Sequence, residues 1–368
     1  MDQITLTHVT KRYTTKTLGT VTAVNDFNLT VKEGECFSFL GPSGCGKTTT
    51  LRMIAGFEDL SEGEIKLGDR VVSCSKKNIY VPPEERGLGM VFQAFAVWPH
   101  MNIFDNVAFP LKVAKVPKAE INERVKKALK HTSLDGMEKV FPSNLSGGQQ
   151  QRIALARAIV TNPKVMLLDE PLSNLDPKLR ETMRFEIKKL QKELGFTIIF
   201  VTHDQSEAMA LSDRMLVMDM GNQQQIGTPT ELYNRPINRF VHSFLGQSNF
   251  AEVDIVNGKV YPAGCHDAPL GLTPPADAKD RMILATRPNT IELDRGEGAK
   301  GTIVKRVFLT DFTEYLVDIG GGQVLRVQTP HRNVFRQGET CSLRFPSPMW
   351  YEPESEAEQA ERNRRTLV

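Results

Sequence analysis

The chain has 368 residues, enough for two or three domains, and its 46 Lys+Arg against 44 Asp+Glu leave a net charge of only +2. That balance argues against a long contact with nucleic acid or an anionic membrane as the main business of the protein. Apolar runs such as Val165–Leu168 and Thr197–Val201 have the length of buried strands and fall far short of the ~20 residues that cross a bilayer, so any membrane span is expected from another chain. The N-terminal stretch alternates polar and apolar residues without the basic head and apolar core of a secretory leader, which predicts a cytoplasmic chain. Cys36, Cys45, Cys74, Cys265 and Cys341 are dispersed and show no C-x-x-C pairing, so reduced thiols are expected rather than a disulfide frame or a zinc site.

Ile4, Leu6 and Val9, then Val24, Phe27, Leu29 and Val31, predict two antiparallel strands with one buried face, with Lys11-Arg12-Tyr13 between them. Tyr13 has two readings, ordinary packing at a strand end or a ring that stacks on an adenine. Cys36–Leu40 is a strand-like apolar run that feeds Gly41-Pro42-Ser43-Gly44-Cys45-Gly46-Lys47-Thr48, and a helical segment, Thr49–Ala55, leaves it. This is the Walker A spacing: a tight glycine turn aims several N–H groups at one anion, Lys47 reaches the β- and γ-phosphates, and the Thr48 hydroxyl offers a ligand to Mg²⁺. Gly68-Asp69 is read as a hairpin turn between 63–67 and 70–72, and Leu88–Phe92 as the next apolar strand.

Past Gln93 the texture becomes aromatic and Met-rich (Phe95, Val97, Trp98, Met101), then helical, with Ile121, Val125, Ala128 and Leu129 on one face after Pro117. A helical insertion over about 94–145 is expected, and Phe95, Val97 and Trp98 serve either as its core or as a groove for a partner helix. Leu145-Ser146-Gly147-Gly148-Gln149 opens another helix, with Ser146 as N-cap; such a start is either a plain capped helix or a second anion site.

Val165–Leu168, apolar without alternation, predicts a parallel strand covered on both faces, and it ends in Asp169-Glu170. Two carboxylates at the exit of a buried strand call for a cation, so Asp169 is expected on Mg²⁺ and Glu170 on the attacking water. Asp176-Pro177 starts the next helix, which Gly195 ends. The strand Thr197–Val201 then delivers His203 to the same sheet edge, where an imidazole can contact a γ-phosphate oxygen or hold the water. Beyond Arg235-Pro236 short β-prone segments, including a hairpin at Asn257-Gly258, predict a small all-β domain of the oligonucleotide/oligosaccharide-binding (OB) kind, and 353–368 reads as a charged tail.

In order and content these motifs resemble the ATPase subunits of ATP-binding-cassette (ABC) transporters: Walker A at Gly41–Thr48, Q-loop at Gln93, signature at Leu145–Gln149, Walker B at Val165–Glu170, D-loop at Ser173–Asp176 and switch histidine at His203. Leu284–Pro288 and Thr313–Tyr315 resemble, more loosely, the regulatory TOBE-like domain of maltose, polyamine and ferric-ion importer ATPases, with Asn289 where that pattern carries an acidic residue. The resemblance implies an α/β P-loop NTPase core with an antiparallel β-subdomain and a helical insertion (1–235), an OB-like regulatory domain (236–352) and the tail (353–368). It implies ATP and Mg²⁺ as cofactors, with Glu170, His203, Lys47 and Gln93 as catalytic residues. The nucleotide-contacting set is Tyr13, Gly41, Ser43, Gly44, Cys45, Gly46, Lys47, Thr48 and Thr49, together with Ser146, Gly147, Gly148 and Gln149; the metal set is Thr48, Gln93 and Asp169. Tyr13 falls where the family has its adenine-stacking aromatic. Implied partners are a second copy in a head-to-tail dimer that sandwiches ATP, two transmembrane permease subunits docked near Phe95–Met101 and, indirectly, a solute-binding protein, with no nucleic acid. The implied place is peripheral, on the cytoplasmic side of the cell membrane. The junction Phe244–Phe250 leans toward a ferric-ion or polyamine importer, ahead of sugar or phosphonate, and a soluble cassette ATPase acting on nucleic acid or ribosomes is a weaker rival.

Overall fold

The computed structural model describes residues 1–15, 19–332 and 334–353, so the expected tail lies outside them apart from Pro353. The chain divides into two compact units, Met1–Ile237 and Asn238–Val368.

The first unit begins with two long strands, β1 (Asp2–Thr15) and β2 (Gly19–Lys32). Lys11-Arg12-Tyr13 lies inside β1 rather than between two strands, because β2 runs on and sets Tyr13 against Val21. Next come β3 (Cys36–Leu40), α1 (Lys47–Ala55), β4 (Glu62–Leu67), β5 (Arg70–Cys74), β6 (Ile79–Tyr80) and β7 (Leu88–Val91). Three helices follow, α2 (Ile103–Val113), α3 (Lys118–His131) and α4 (Gly147–Ile159), and then β8 (Val165–Asp169), α5 (Pro177–Leu194), β9 (Thr197–Thr202), α6 (Gln205–Leu211), β10 (Arg214–Asp219), β11 (Asn222–Gly227) and α7 (Pro229–Asn234). β2-β1-β4-β5-β6 form an antiparallel sheet. The other sheet has the order β11-β10-β3-β9-β8-β7, parallel except for β11.

The unbroken apolar runs divide by parity between two cores. Val165 and Leu167, with Ile199, Val201, Phe37 and Phe39, face α1 and the antiparallel sheet; Met166 and Leu168, with Ile198 and Phe200, face the helical layer. A strand buried on both faces has no polar side to alternate with, which is why its sequence looks continuous. The helical layer is larger than the expected insertion: α4 packs on both α2 and α3, and Met183, Ile187 and Leu190 of α5 join the same core. Local chemistry fixes the helix starts. Asn102, Ser146, Asp176 and Asp204 cap α2, α4, α5 and α6 through side-chain acceptors, and Gly195 ends α5 in the left-handed region.

The second unit opens with α8 (Arg239–Phe244) and is otherwise all β: β12 (Asn249–Val256), β13 (Lys259–Pro262), β14 (Arg281–Thr286), β15 (Glu292–Asp294), β16 (Ala299–Phe308), β17 (Thr313–Asp318), β18 (Val324–Thr329), β19 (Thr340–Arg344) and β20 (Met349–Tyr351). They form two antiparallel sheets, β13-β12-β14-β20 and β15-β19-β16-β17-β18, around a core that includes Val253, Leu284, Ile303, Tyr315 and Phe335. Asn257 and Gly258 both take positive φ, as a tight two-residue hairpin requires. The five cysteines carry free thiols.

Candidate functional site

The carboxyl ends of β3, β8 and β9 lie side by side in one sheet, and each hands over to a motif loop, the arrangement in which open α/β sheets bind ligands. After β3 the chain turns through Gly41–Gly46 into α1. A Cβ on Gly41 would sit 2.4 Å from the Met218 carbonyl oxygen, and one on Gly46, at φ +105°, the same distance from that of Ala23, so the turn tolerates no side chain at either place. Gly46 caps α1 with no side-chain acceptor, which leaves the helix start to its bare N–H groups. Lys47 is 5% exposed, and its ammonium is drawn into the loop by the carbonyls of Gly41 (2.7 Å) and Pro42 (2.8 Å), with Cys45 Sγ at 3.7 Å. Ser43 and Gly44 are exposed at the tip; the Cys45 N–H donates to the Pro42 carbonyl at 3.3 Å.

A line of contacts runs from this loop across the sheet edge. Thr48 Oγ1 donates to Asp169 Oδ1 at 3.2 Å. Burial pushes the Asp169 carboxyl above its ordinary value, only partly opposed by the Thr48 hydrogen bond, so the site holds a carboxylate in want of a cation. The neighbouring Glu170 sits at φ +45°, left-handed and therefore strained, with its carboxylate between His203 Nδ1 (3.2 Å) and the Gln93 amide (3.3 Å). Glu170, His203, Gln93, Asp169, Thr48 and Lys47 are thus gathered at one place although they come from four separate stretches of sequence.

Two residues that sequence reasoning did not single out hold this arrangement. The Asn174 amide donates to the Gln93 carbonyl at 2.8 Å and ties the D-loop to the Q-loop. Arg180 on α5 reaches the D-loop carbonyls of Ser173 (3.4 Å) and Leu175 (3.3 Å) and pairs with Asp204 at 3.1 Å, the residue after His203. Asn174 was legible as a motif member; a lone helical arginine reads as a solvated face.

The remaining expected residues stand outside this line. Ser146 is exposed at the start of α4, where its hydroxyl accepts from the Gln149 N–H (3.4 Å) and the Gln149 side chain accepts from the Ser146 N–H (3.0 Å), a reciprocal capping box. Gly147 and Gly148 follow as the first helical residues. Tyr13 carries the Lys11 ammonium 4.9 Å from its ring centroid, and Lys11 is itself held by Glu58 at 3.1 Å. Phe95 and Val97 pack against the helical core, in line with the first of their two readings, whereas Trp98 lies against Phe109 at 4.4 Å between ring centroids. No helix among the described residues is long and apolar enough to cross a membrane.

The turn closed to side chains at Gly41 and Gly46, the uncapped α1 start and the buried Asp169 beside Thr48 fit a nucleotide phosphate chain with its divalent cation. The ABC transporter family model matches residues 24–173 and the TOBE domain model residues 284–350. A trehalose/maltose import ATP-binding protein of Thermococcus litoralis is 54% identical over 241 residues, which is 66% of this chain and 65% of that protein's length. A spermidine/putrescine import ATP-binding protein of Rubrobacter xylanophilus is 45% identical over 356 residues, 92% of this chain and 90% of that protein. A solved dimeric ATP-binding cassette, in a post-hydrolysis state with ADP and Pi, matches with a TM-score of 0.53 at 33% identity, covering 61% of this chain and 98% of that one. The chain belongs to the ABC transporter family, as an import-type ATP-binding subunit with a C-terminal TOBE domain.

Proposed function

We propose that this chain hydrolyses MgATP in a head-to-tail dimer and thereby drives polyamine uptake through two separate permease subunits. The observation that carries the reading is the line of contacts Thr48–Asp169 and Gln93–Glu170–His203. Thr48 and Asp169, with Gln93, would hold Mg²⁺, which would supply neutralisation of the phosphate charge. Lys47 leaves the loop carbonyls for the β- and γ-phosphates, and the N–H groups from Gly44 to Thr49 close around them. Glu170 orients the water that attacks the γ-phosphorus and takes up its proton as the bond to the ADP oxygen breaks; His203 holds Glu170 and a γ-phosphate oxygen in register. Tyr13 stacks on the adenine once Lys11 yields its face.

Ser146 to Gln149 take no part in the site of their own chain, and their exposed helix start serves the nucleotide of the second copy. Closure of that dimer completes two sites, Gln93 reports their occupancy to the helical layer, and the surface near Phe95–Met101 moves the permease. The complex works at the cytoplasmic face of the membrane and receives its solute from a binding protein outside. Of the two solutes the sequence favours, ferric ion and polyamine, polyamine is supported by a relative that matches along both units; a sugar-import relative matches over 241 residues. Reconstitution of the chain with its permease and binding protein tests this: spermidine or putrescine is expected to stimulate ATP hydrolysis, and stimulation by maltose or ferric ion alone contradicts the assignment.

A further inference from the structure

Arg157, near the end of α4, is a half-buried cation without an anion. Among the described residues no ion pair joins it to a carboxylate, and desolvation alone lowers its guanidinium pKa from the ordinary value. Its donors go instead to two consecutive carbonyls in the loop after Gln93, Ala96 at 2.6 Å and Phe95 at 2.9 Å, while its planar head lies 4.6 Å from the centre of the Trp98 ring. Phe95 and Ala96 both occupy the left-handed region, at φ +57° and +49°, and a bulky residue persists there only where its surroundings hold it. The backbone of Trp98 is gripped from the other side by Asn106 of α2, which accepts from its N–H at 2.9 Å and donates to its carbonyl at 3.1 Å. The same α4 begins at the signature turn, roughly 16 Å away along the helix. The other end of the loop is Gln93, which touches Glu170.

We propose that Arg157 is a positioning residue for nucleotide sensing: it fastens the strained loop after Gln93 to the helix that opens with the signature turn, so that a change of partner at Gln93 in one site moves the Ser146 turn that serves the other. A lysine ammonium can meet two carbonyls, as Lys47 does, but has no planar face to lay on the indole at the same time, so Arg157→Lys keeps the charge and loosens the fastening. The proposal rests on the ATPase reading above.

The sequence has two tryptophans, so Trp350→Phe leaves Trp98 as the sole reporter. In a Glu170→Gln, Trp350→Phe chain, saturating MgATP is expected to shift Trp98 emission, and adding Arg157→Lys is expected to shrink that shift by roughly tenfold while bound labelled ATP stays the same. In the chain with Glu170 intact, Arg157→Lys should lower kcat and leave KM unchanged. A full shift in Arg157→Lys, or a silent Trp98 in its parent with ATP bound, overturns the proposal; absence of bound ATP in the parent overturns it together with the ATPase reading. Hydrogen exchange on the unmutated chain gives a second route if the variant does not fold: MgATP should alter 93–98 and 146–150 together, and a change confined to 93–98 contradicts the coupling.

Discussion

Two helix starts in the first unit look alike in sequence, each a glycine-rich turn into a helix, yet they are finished in opposite ways. The start of α1 has no side-chain cap, with Lys47 buried beneath its loop and Asp169 pressed against Thr48. The start of α4 is satisfied by its own capping box, with Ser146 exposed, and among the described residues no hydrogen bond joins that box to Lys47, Gln93, Glu170 or His203. An uncapped N-terminus beside a buried carboxyl whose charge burial disfavours is built to take a ligand from solution. A capped one is complete as structure, and in the function proposed above it meets a nucleotide only when another surface arrives.

Changes to the first start and its line of contacts should therefore act within one chain. Glu170→Gln, which keeps shape and removes the proton acceptor, is expected to reduce kcat by roughly 10²- to 10⁴-fold with MgATP binding retained, read by steady-state hydrolysis beside equilibrium binding. Unchanged turnover would remove Glu170 from that role. Lys47→Ala is expected to weaken ATP binding by roughly tenfold to a hundredfold, because a buried cation shared between phosphate oxygens is lost; titration with labelled ATP measures it. Asp169→Asn has a smaller effect of opposite sign on stability. The folded-state pKa of Asp169 is raised, so its carboxylate costs nothing below the ordinary carboxylate range and destabilises the metal-free protein once pH rises through the raised value. The variant should gain about 1 kcal/mol in thermal unfolding at neutral pH, lose that gain on acidification, and lose the extra stabilisation by MgATP. Arg180→Lys is expected to be the mildest, lowering kcat severalfold without change in ATP affinity, since it loosens the D-loop from the His203 loop.

The same contrast shows what the sequence discloses. Motifs made of contiguous residues were readable one by one, because a glycine turn, a cap or a buried strand is local chemistry. The parity that splits Val165–Leu168 between two cores was implicit in its lack of alternation. The sequence around Tyr13 reads as a link between strands because the outer part of the β1–β2 ribbon carries few apolar residues, and pairing rather than burial continues it. Arg157 and Arg180 could not be found at all: each acts by donating to backbone carbonyls, distant in sequence for Arg157 and in the preceding loop for Arg180, and a carbonyl has no letter. For the second unit, the turns announced the longer strands, while β15 and β20, three residues each, are fixed by long-range pairing with β19 and β14.

The account stands on the claim that the Ser146 turn of one copy completes the site of the other, and the release rate of ATP tests it most directly. In a Glu170→Gln chain labelled MgATP should be retained after excess unlabelled ATP is added, sealed by the partner's signature turn. Adding Ser146→Arg should speed its release by roughly a hundredfold while the initial binding to the Walker A loop is preserved. Equal release rates, with ATP bound in both, would contradict the composite site.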